Sequence, residues 1–224
     1  MNDAKSLSIA LGFLKANNEA KVKVLMSKIP EMNIAGNWKP YGGKDKNWDR
    51  IGSQQTNPVG ALTEKLTNSI DAVLMKLCML SGLEPRDTKA PKSMLQAVES
   101  LIKDAEGFKV YEGRIAWLDD EQRRNLARKY IRVAITGSKR KPCYTIIDSG
   151  EGQHPDMFET TFVSLGENNK QGIPFVQGRY NMGSTGSLRF CGETYFQLII
   201  SRRYPEDKDF GNRNMSMKMR RACQ

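Results

Sequence analysis

The sequence predicts an α+β fold of helices and antiparallel strands, and two observations lead to that prediction. Apolar residues recur at steps of three and four, the spacing of one buried helix face, at Leu62, Leu66, Ile70, Val73, Leu74 and Leu77. Two apolar runs, at 132–136 and 143–147, flank the turn-forming residues 137–142 and predict a β-hairpin. With 224 residues, the chain is also long enough to bury a core.

Composition and cysteine usage narrow the class of protein. The chain is 39% hydrophobic and 27% charged, which is typical of a globular protein. No apolar run approaches the roughly 20 residues of a membrane span, and residues 1–15 show no secretory signal. The cysteines are widely spaced and form neither zinc-type pairs nor a dense disulfide framework, so we expect reduced thiols. These features predict a cytoplasmic protein without a membrane partner.

The chain carries a net charge of +10, which favours polyanions as partners. Part of the surplus lies in residues 201–224, where seven basic residues stand against three acidic ones. This leaves two interpretations open, namely a solvated basic tail and a surface that contacts nucleic acid.

The first 56 residues predict a helical segment followed by an irregular arm. Apolar residues interleaved with lysines predict one or two helices over 3–26, and Pro30 ends this region. Residues 32–54 are rich in Gly, Asn, Lys and Trp, a composition typical of an irregular loop. A functional arm and a mobile terminus both fit this stretch.

The central helix carries the first group of chemically useful residues. Asn57 is a suitable cap and Pro58 a suitable first-turn residue, so the helix is predicted to run from Pro58 to Met79 or Leu80. Residues four apart share a helix face, so Glu64 and Asn68 point the same way, with Asp71 one step along. A carboxylate there can activate water, and an amide oxygen can hold a hard cation such as Mg²⁺. An ordinary amphipathic helix is the alternative.

Two further helices, over 93–104 and 119–131, are predicted in a helical insertion at about 83–131. The acidic residues Asp119, Asp120 and Glu121 suit the first turn of the later helix, where the helix dipole favours negative charge. We assign no chemistry to this insertion.

A second group of residues follows the strand at 143–147, in the pattern Asp148-x-Gly150-x-Gly152. The glycines let the backbone turn sharply and approach a flat ligand, and the carboxylate can accept a hydrogen bond from an exocyclic amine. The lone histidine, His154, has no second His and no Cys close in sequence, so we expect it to pack at a helix start rather than bind metal.

A third group of residues is rich in glycine and follows a polar segment, 166–175, that should be mobile. Gly183, Ser184, Thr185 and Gly186 are predicted to open a helix with its N–H groups aimed at phosphate, and Arg179 could add a charge-assisted contact. Residues 194–203 read as a strong strand, and residues 204–224 show no convincing element.

These three groups, in this order, resemble the motifs of the GHKL (Bergerat-fold) ATPases. The Glu64-x-x-x-Asn68 helix with its Asn-Ser-x-Asp-Ala ending is closer to the MutL and chaperone branches than to the histidine kinases. Asn181 stands where the family usually has a glycine. The resemblance implies a two-layer α/β sandwich over 57–203, with a mixed, mostly antiparallel sheet covered by helices on one face. Residues 204–224 would then be a basic tail, since the family's next strand is not evident.

The resemblance also implies a function, slow Mg²⁺-dependent ATP hydrolysis coupled to closure of a lid at 166–175 and to dimerisation. Glu64 would activate water, Asn68 would hold Mg²⁺, and Asp148 with Gly150 and Gly152 would read adenine. The remaining nucleotide-binding residues it implies are Asp71, Ala72, Gly178, Arg179, Tyr180, Asn181, Met182, Gly183, Ser184, Thr185 and Gly186. A non-hydrolysing, nucleotide-gated module that contacts nucleic acid through its basic surface is the alternative.

Overall fold

Helices and antiparallel strands make up the computed structural model, which confirms an α+β fold. The structure describes residues 3–38, 57–103, 108–111, 114–116, 118–154, 157, 170–178, 186–204 and 216–221. Within these residues, no helix is both long enough and apolar enough to cross a membrane.

The N-terminal segment forms two helices, as predicted, α1 (Asp3–Lys15) and α2 (Glu19–Ser27). Two 3₁₀ turns follow, at Pro30–Asn33 and Ala35–Asn37. The buried apolar side chains of this segment include Phe13, Met26 and Ile29. These three pack with the half-buried Phe196 and Leu198 from late in the chain. The N-terminal helices therefore share a core with the last part of the chain. The rest of the predicted arm, 39–54, lies outside the described residues.

The central helix α3 (Pro58–Leu80) has the predicted bounds, and the Asn57 side chain caps it by accepting the Val59 N–H. The predicted apolar face is only partly correct. Val73 and Leu74 are buried, but Ile70 is 39% exposed. Polar side chains are buried on this helix instead, because α3 supports loops that donate hydrogen bonds to it.

The insertion after α3 differs from the prediction. The expected helix at 93–104 is a short α4 (Met94–Ala97) that continues as a π-helix, Val98–Lys103. Next come β1 (Lys109–Tyr111) and β2 (Arg114–Ala116), which pair antiparallel within a region predicted to be helical. A second hydrophobic core joins α3, α4 and a later loop. Its buried side chains include Leu74, Cys78, Ala97 and Phe175.

The predicted hairpin is confirmed and is longer than expected. Helix α5 (Asp120–Tyr130), capped by Asp119 in a capping box with Gln122, leads directly into β3 (Ile131–Ser138) and its antiparallel partner β4 (Lys141–Asp148). On one face of this hairpin, the apolar side chains of Val133, Ile135 and Tyr144 are exposed.

The last described elements overturn one prediction. β5 (Phe196–Ser201) pairs antiparallel with β6 (Ser216–Arg221), so the segment predicted to hold no element contributes a strand. In the part of the chain that the structure describes, the strands form three two-stranded antiparallel sheets. The predicted mixed sheet is therefore not seen there.

Candidate functional site

The loop after β4 is held against one face of α3. Asp148 Oδ2 accepts a hydrogen bond from Ser69 Oγ at 3.0 Å, and Asp148 Oδ1 accepts the Gly150 N–H at 3.0 Å. The Glu151 N–H donates to the Ala72 carbonyl at 3.0 Å. Asp148 is nevertheless exposed, and a carboxylate has about four acceptor positions, so it can accept further hydrogen bonds from a ligand.

The glycines of this loop make room for protein rather than for a ligand, in contrast to the prediction. A Cβ atom at Gly150 would lie 2.5 Å from Ala72 Cβ, so the loop touches the helix backbone where a side chain would stand. Gly152 has a φ of +64°, and a Cβ atom there would overlap the Arg202 carbonyl oxygen. Both positions require glycine because neighbouring backbone fills the space.

Asp71 joins α3 to the third segment. Its carboxylate is fully buried and accepts the N–H groups of Gln177 at 2.9 Å and Gly178 at 2.8 Å. The Lys170 ammonium lies 3.1 Å from the same carboxylate. Protein groups therefore surround Asp71, and its role here is to position the loop at 170–178. The pairing of Lys170 with Asp71 could not be predicted from the sequence, because the two residues are 99 positions apart.

Asn68 lies beside the same loop. A Cβ atom at Gly178 would come within 2.7 Å of Asn68 Oδ1 and 3.6 Å of Lys170 Nζ. The amide oxygen predicted to hold a cation thus borders a glycine backbone and a lysine ammonium. The structure thus brings residues from segments about 80 and 110 positions further along the chain against one stretch of α3.

Glu64 lies one helical turn before Asn68 and on the same face. Its side chain is half-buried, and burial raises the pKa of its carboxyl group, an effect that the nearby Lys65 charge partly opposes. A carboxylate with a raised pKa is a stronger base than an ordinary glutamate, which suits the role predicted for it.

An ion pair that was not predicted from the sequence also holds the loop after β4. Glu151 is buried and pairs with Arg203, whose Nη1 lies 2.5 Å from Glu151 Oε2 and also donates to the Gly152 carbonyl. The Tyr204 N–H donates to the Glu151 carbonyl at 2.6 Å, and Lys76 of α3 lies over the Tyr204 ring. The chain leaving β5 therefore crosses the loop and returns to α3.

The other predicted phosphate-binding residues are only partly placed. Arg179, Tyr180, Asn181, Met182, Gly183, Ser184 and Thr185 lie outside the described residues. Gly186 is buried and precedes a 3₁₀ turn, Leu188–Phe190, where the start of a longer helix was predicted.

A search of the described residues for three or more His, Cys, Asp or Glu side chains arranged to hold a metal finds no such group. A cavity of about 210 Å³ lies at the N-terminal helices, lined by Ile9, Phe13 and Ile29 among others, and none of its lining residues belongs to the three segments above.

Scans of the chain against protein-family models, curated proteins and solved structures give no match. The functional interpretation therefore depends on the geometry of this site.

Proposed function

We propose that the chain is an ATP-binding domain of the GHKL type that hydrolyses ATP slowly with Mg²⁺. The observation that carries the proposal is that two distant segments, the loop after β4 and the loop at 170–178, both pack against one stretch of α3. Ser69 holds Asp148, and Asp71 holds the backbone of Gln177 and Gly178. The order of the three segments along the chain is the one that the resemblance implies.

The donor groups at this site fit a magnesium nucleotide. Asn68 offers a neutral amide oxygen, which is a hard ligand suited to Mg²⁺ when phosphate oxygens and water complete the shell. The exposed Asp148 carboxylate can accept a hydrogen bond from the amino group of adenine.

Each residue has one task in the proposed reaction. Asn68 holds the metal, and Asp148 positions the base of the nucleotide. Glu64, in its half-buried position, accepts a proton from the attacking water. Mg²⁺, when bound, would supply positive charge against the phosphate oxygens, and residues 178–186 would contact them as the resemblance implies. Positioning and electrostatics should supply most of the rate enhancement.

The same proposal includes the two-layer arrangement and a conformational role for ATP. The β3–β4 and β5–β6 pairs would belong to one sheet covered on one face by α3. Residues 170–175 of the predicted lid are already held to α3, with Ile173 and Phe175 buried and Lys170 paired with Asp71, so they would stay in place when ATP drives dimerisation. Contacts between α3 and β4 are consistent with this layering.

Titration calorimetry with Mg-ATP tests the proposal directly. We expect wild-type protein to bind ATP more tightly with Mg²⁺ than with EDTA, Asn68→Ala to lose that difference, and Asp148→Asn to bind at least about tenfold more weakly. Glu64→Gln should bind ATP but release no phosphate.

The matched control is Asp120→Asn, the same chemical change at an exposed carboxylate on α5. Wild-type protein that binds no nucleotide, or Asp148→Asn that binds as tightly as wild type, would contradict the proposal. Binding without any phosphate release would leave the non-hydrolysing alternative as the function.

A further inference from the structure

About half of the net positive charge lies in α5 and the β3–β4 hairpin. Residues 120–148 contain eight basic and three acidic residues, a net charge of +5 out of +10, and all eight basic residues fall within 122–147, where there is no acidic residue. Residues 201–224 carry a further +4. The eight basic residues are Arg123, Arg124, Arg128, Lys129, Arg132, Lys139, Arg140 and Lys141.

All eight side chains are exposed. Helix α5 buries none of its residues, and Lys139 and Arg140 form the two-residue turn between β3 and β4. Among the eight, Arg123 is paired with Asp120 at 3.6 Å and Lys141 with Glu193 at 2.9 Å. The group as a whole remains positive, and a bound anion would relieve the repulsion within it.

Three of the arginines are linked around the end of α5. Arg124 and Arg128 are one helical turn apart, which places their Cβ atoms about 5–6 Å from each other, and Arg132 follows as the second residue of β3. Arg124 Nε donates to the Asp120 carbonyl at 3.0 Å, and Arg132 Nε donates to the Arg128 carbonyl at 2.8 Å. These hydrogen bonds fix the inner part of each guanidinium and reduce the entropy lost when the outer nitrogens bind a ligand.

We propose that α5 and the β3–β4 hairpin form a surface that binds nucleic acid through its phosphate backbone. Five of the eight cations are arginines, whose planar guanidinium groups match phosphate with two hydrogen bonds. A membrane surface is a poorer fit for α5, which lacks the apolar face that an interfacial helix inserts. The hairpin does expose apolar side chains (Val133, Ile135 and Tyr144), and for that reason anionic vesicles are included in the test below. The inference goes beyond the proposed function, and nucleotide binding is not needed for it.

Fluorescence anisotropy with a labelled 20-nucleotide DNA, as a single strand and as a duplex, tests the surface between 50 and 300 mM salt. The first variant replaces Arg124, Arg128 and Arg132 with Gln. It should weaken duplex binding by at least about tenfold at 100 mM salt and reduce the slope of log K against log salt by about two to three. The double variant Lys139→Gln/Arg140→Gln, in the exposed turn, provides a second measurement of DNA binding in which α5 is unchanged.

The matched control replaces the exposed Lys5, Lys15 and Lys28 with Gln, which removes the same charge elsewhere. It should leave the slope unchanged, and Arg→Lys at the three arginine positions should retain most of it. The proposal is wrong if wild-type protein does not bind DNA at 50 mM salt, or if the lysine control weakens binding as much as the arginine variant. Equal binding to polyglutamate or to anionic vesicles would also overturn it. Loss of DNA binding with normal ATP binding separates this test from that of the proposed function.

Discussion

At the scale of single residues, Glu64 combines two properties that oppose each other. Under the proposed function its carboxylate must be ionised to accept a proton, yet partial burial makes the ionised form less favourable and raises its pKa. A shifted pKa of this kind is found more often at functional sites than elsewhere.

Replacing Glu64 with Gln should stabilise the protein at neutral pH. Because the folded-state pKa is raised, the carboxyl group favours folding while protonated and loses that contribution as pH rises through the folded pKa. Gln is neutral at every pH and does not undergo this loss. The melting temperature of the Glu64→Gln protein should therefore exceed that of wild type at pH 7 and match it near pH 4.

Thermal unfolding of both proteins at the two pH values measures this effect, with Glu31→Gln as an exposed control. A Glu64→Gln protein that melts below wild type at pH 7 would show that the carboxylate is stabilised by a partner rather than strained by burial.

Among the described cysteines, Cys78, Cys143 and Cys191 carry free thiols. Burial raises the pKa of Cys191 to about 11, so little of its reactive thiolate is present at neutral pH. This chemistry agrees with the expectation of reduced thiols.

At the scale of elements, Asp71 fixes the loop at 170–178 to α3. One buried carboxylate satisfies two backbone N–H groups and one ammonium. Such a group is costly to bury and is tolerated only when its partners are all in place. Movement of the loop therefore requires that these hydrogen bonds break together.

Asp71→Asn should loosen this loop while leaving α3 folded. The amide removes the charge that Lys170 pairs with and one of the two acceptor oxygens, so at least one backbone N–H loses its partner, at a cost of about 1–3 kcal/mol. Hydrogen exchange at the Gln177 and Gly178 amides should become faster by about tenfold or more. The control Asp120→Asn changes an exposed carboxylate and should leave both amides protected; equal protection in Asp71→Asn would contradict this account.

Local signals in the sequence predicted local structure well. The Asn57 cap and the Pro58 start fixed the beginning of α3, and the turn between two apolar runs identified β3 and β4. Strand β6 was missed because only two of its six residues, Met217 and Met219, are apolar. Their alternation with basic residues is too short to distinguish a strand from a basic tail.

The site was predictable only where its chemistry is carried by residues adjacent in sequence. Asn68 and Asp148 stood out, but the burial of Asp71 depends on Gln177, 106 positions later. The pairing of Glu151 with Arg203 likewise spans 52 positions. No periodicity or composition reports such partners, which is why Ile70 was assigned to the buried face in place of Asp71.

At the scale of the whole molecule, the Glu151–Arg203 pair connects the end of β5 to the loop after β4. Removing one partner of a buried ion pair leaves the other charge without compensation. Arg203→Ala should therefore destabilise the protein by about 3 kcal/mol, discounted somewhat because the Arg203 side chain is 33% exposed.

Urea unfolding measures this loss, with Arg202→Ala as the exposed neighbour control. Arg203→Lys should recover part of the stability, because it restores the charge but not the second hydrogen bond to Gly152. A wild-type midpoint for Arg203→Ala would show that Glu151 is adequately solvated without its partner.

The passage of the Arg202 backbone over Gly152 also has a consequence during synthesis. The loop that carries Asp148 is not packed against Ser201 and Arg202 until that segment, about fifty residues further on, has left the ribosome. A nascent chain halted before that point would hold α3 and the hairpin but an incomplete nucleotide site. Under the proposed function, ATP would then stabilise the finished protein and have little hold on its unfinished precursors.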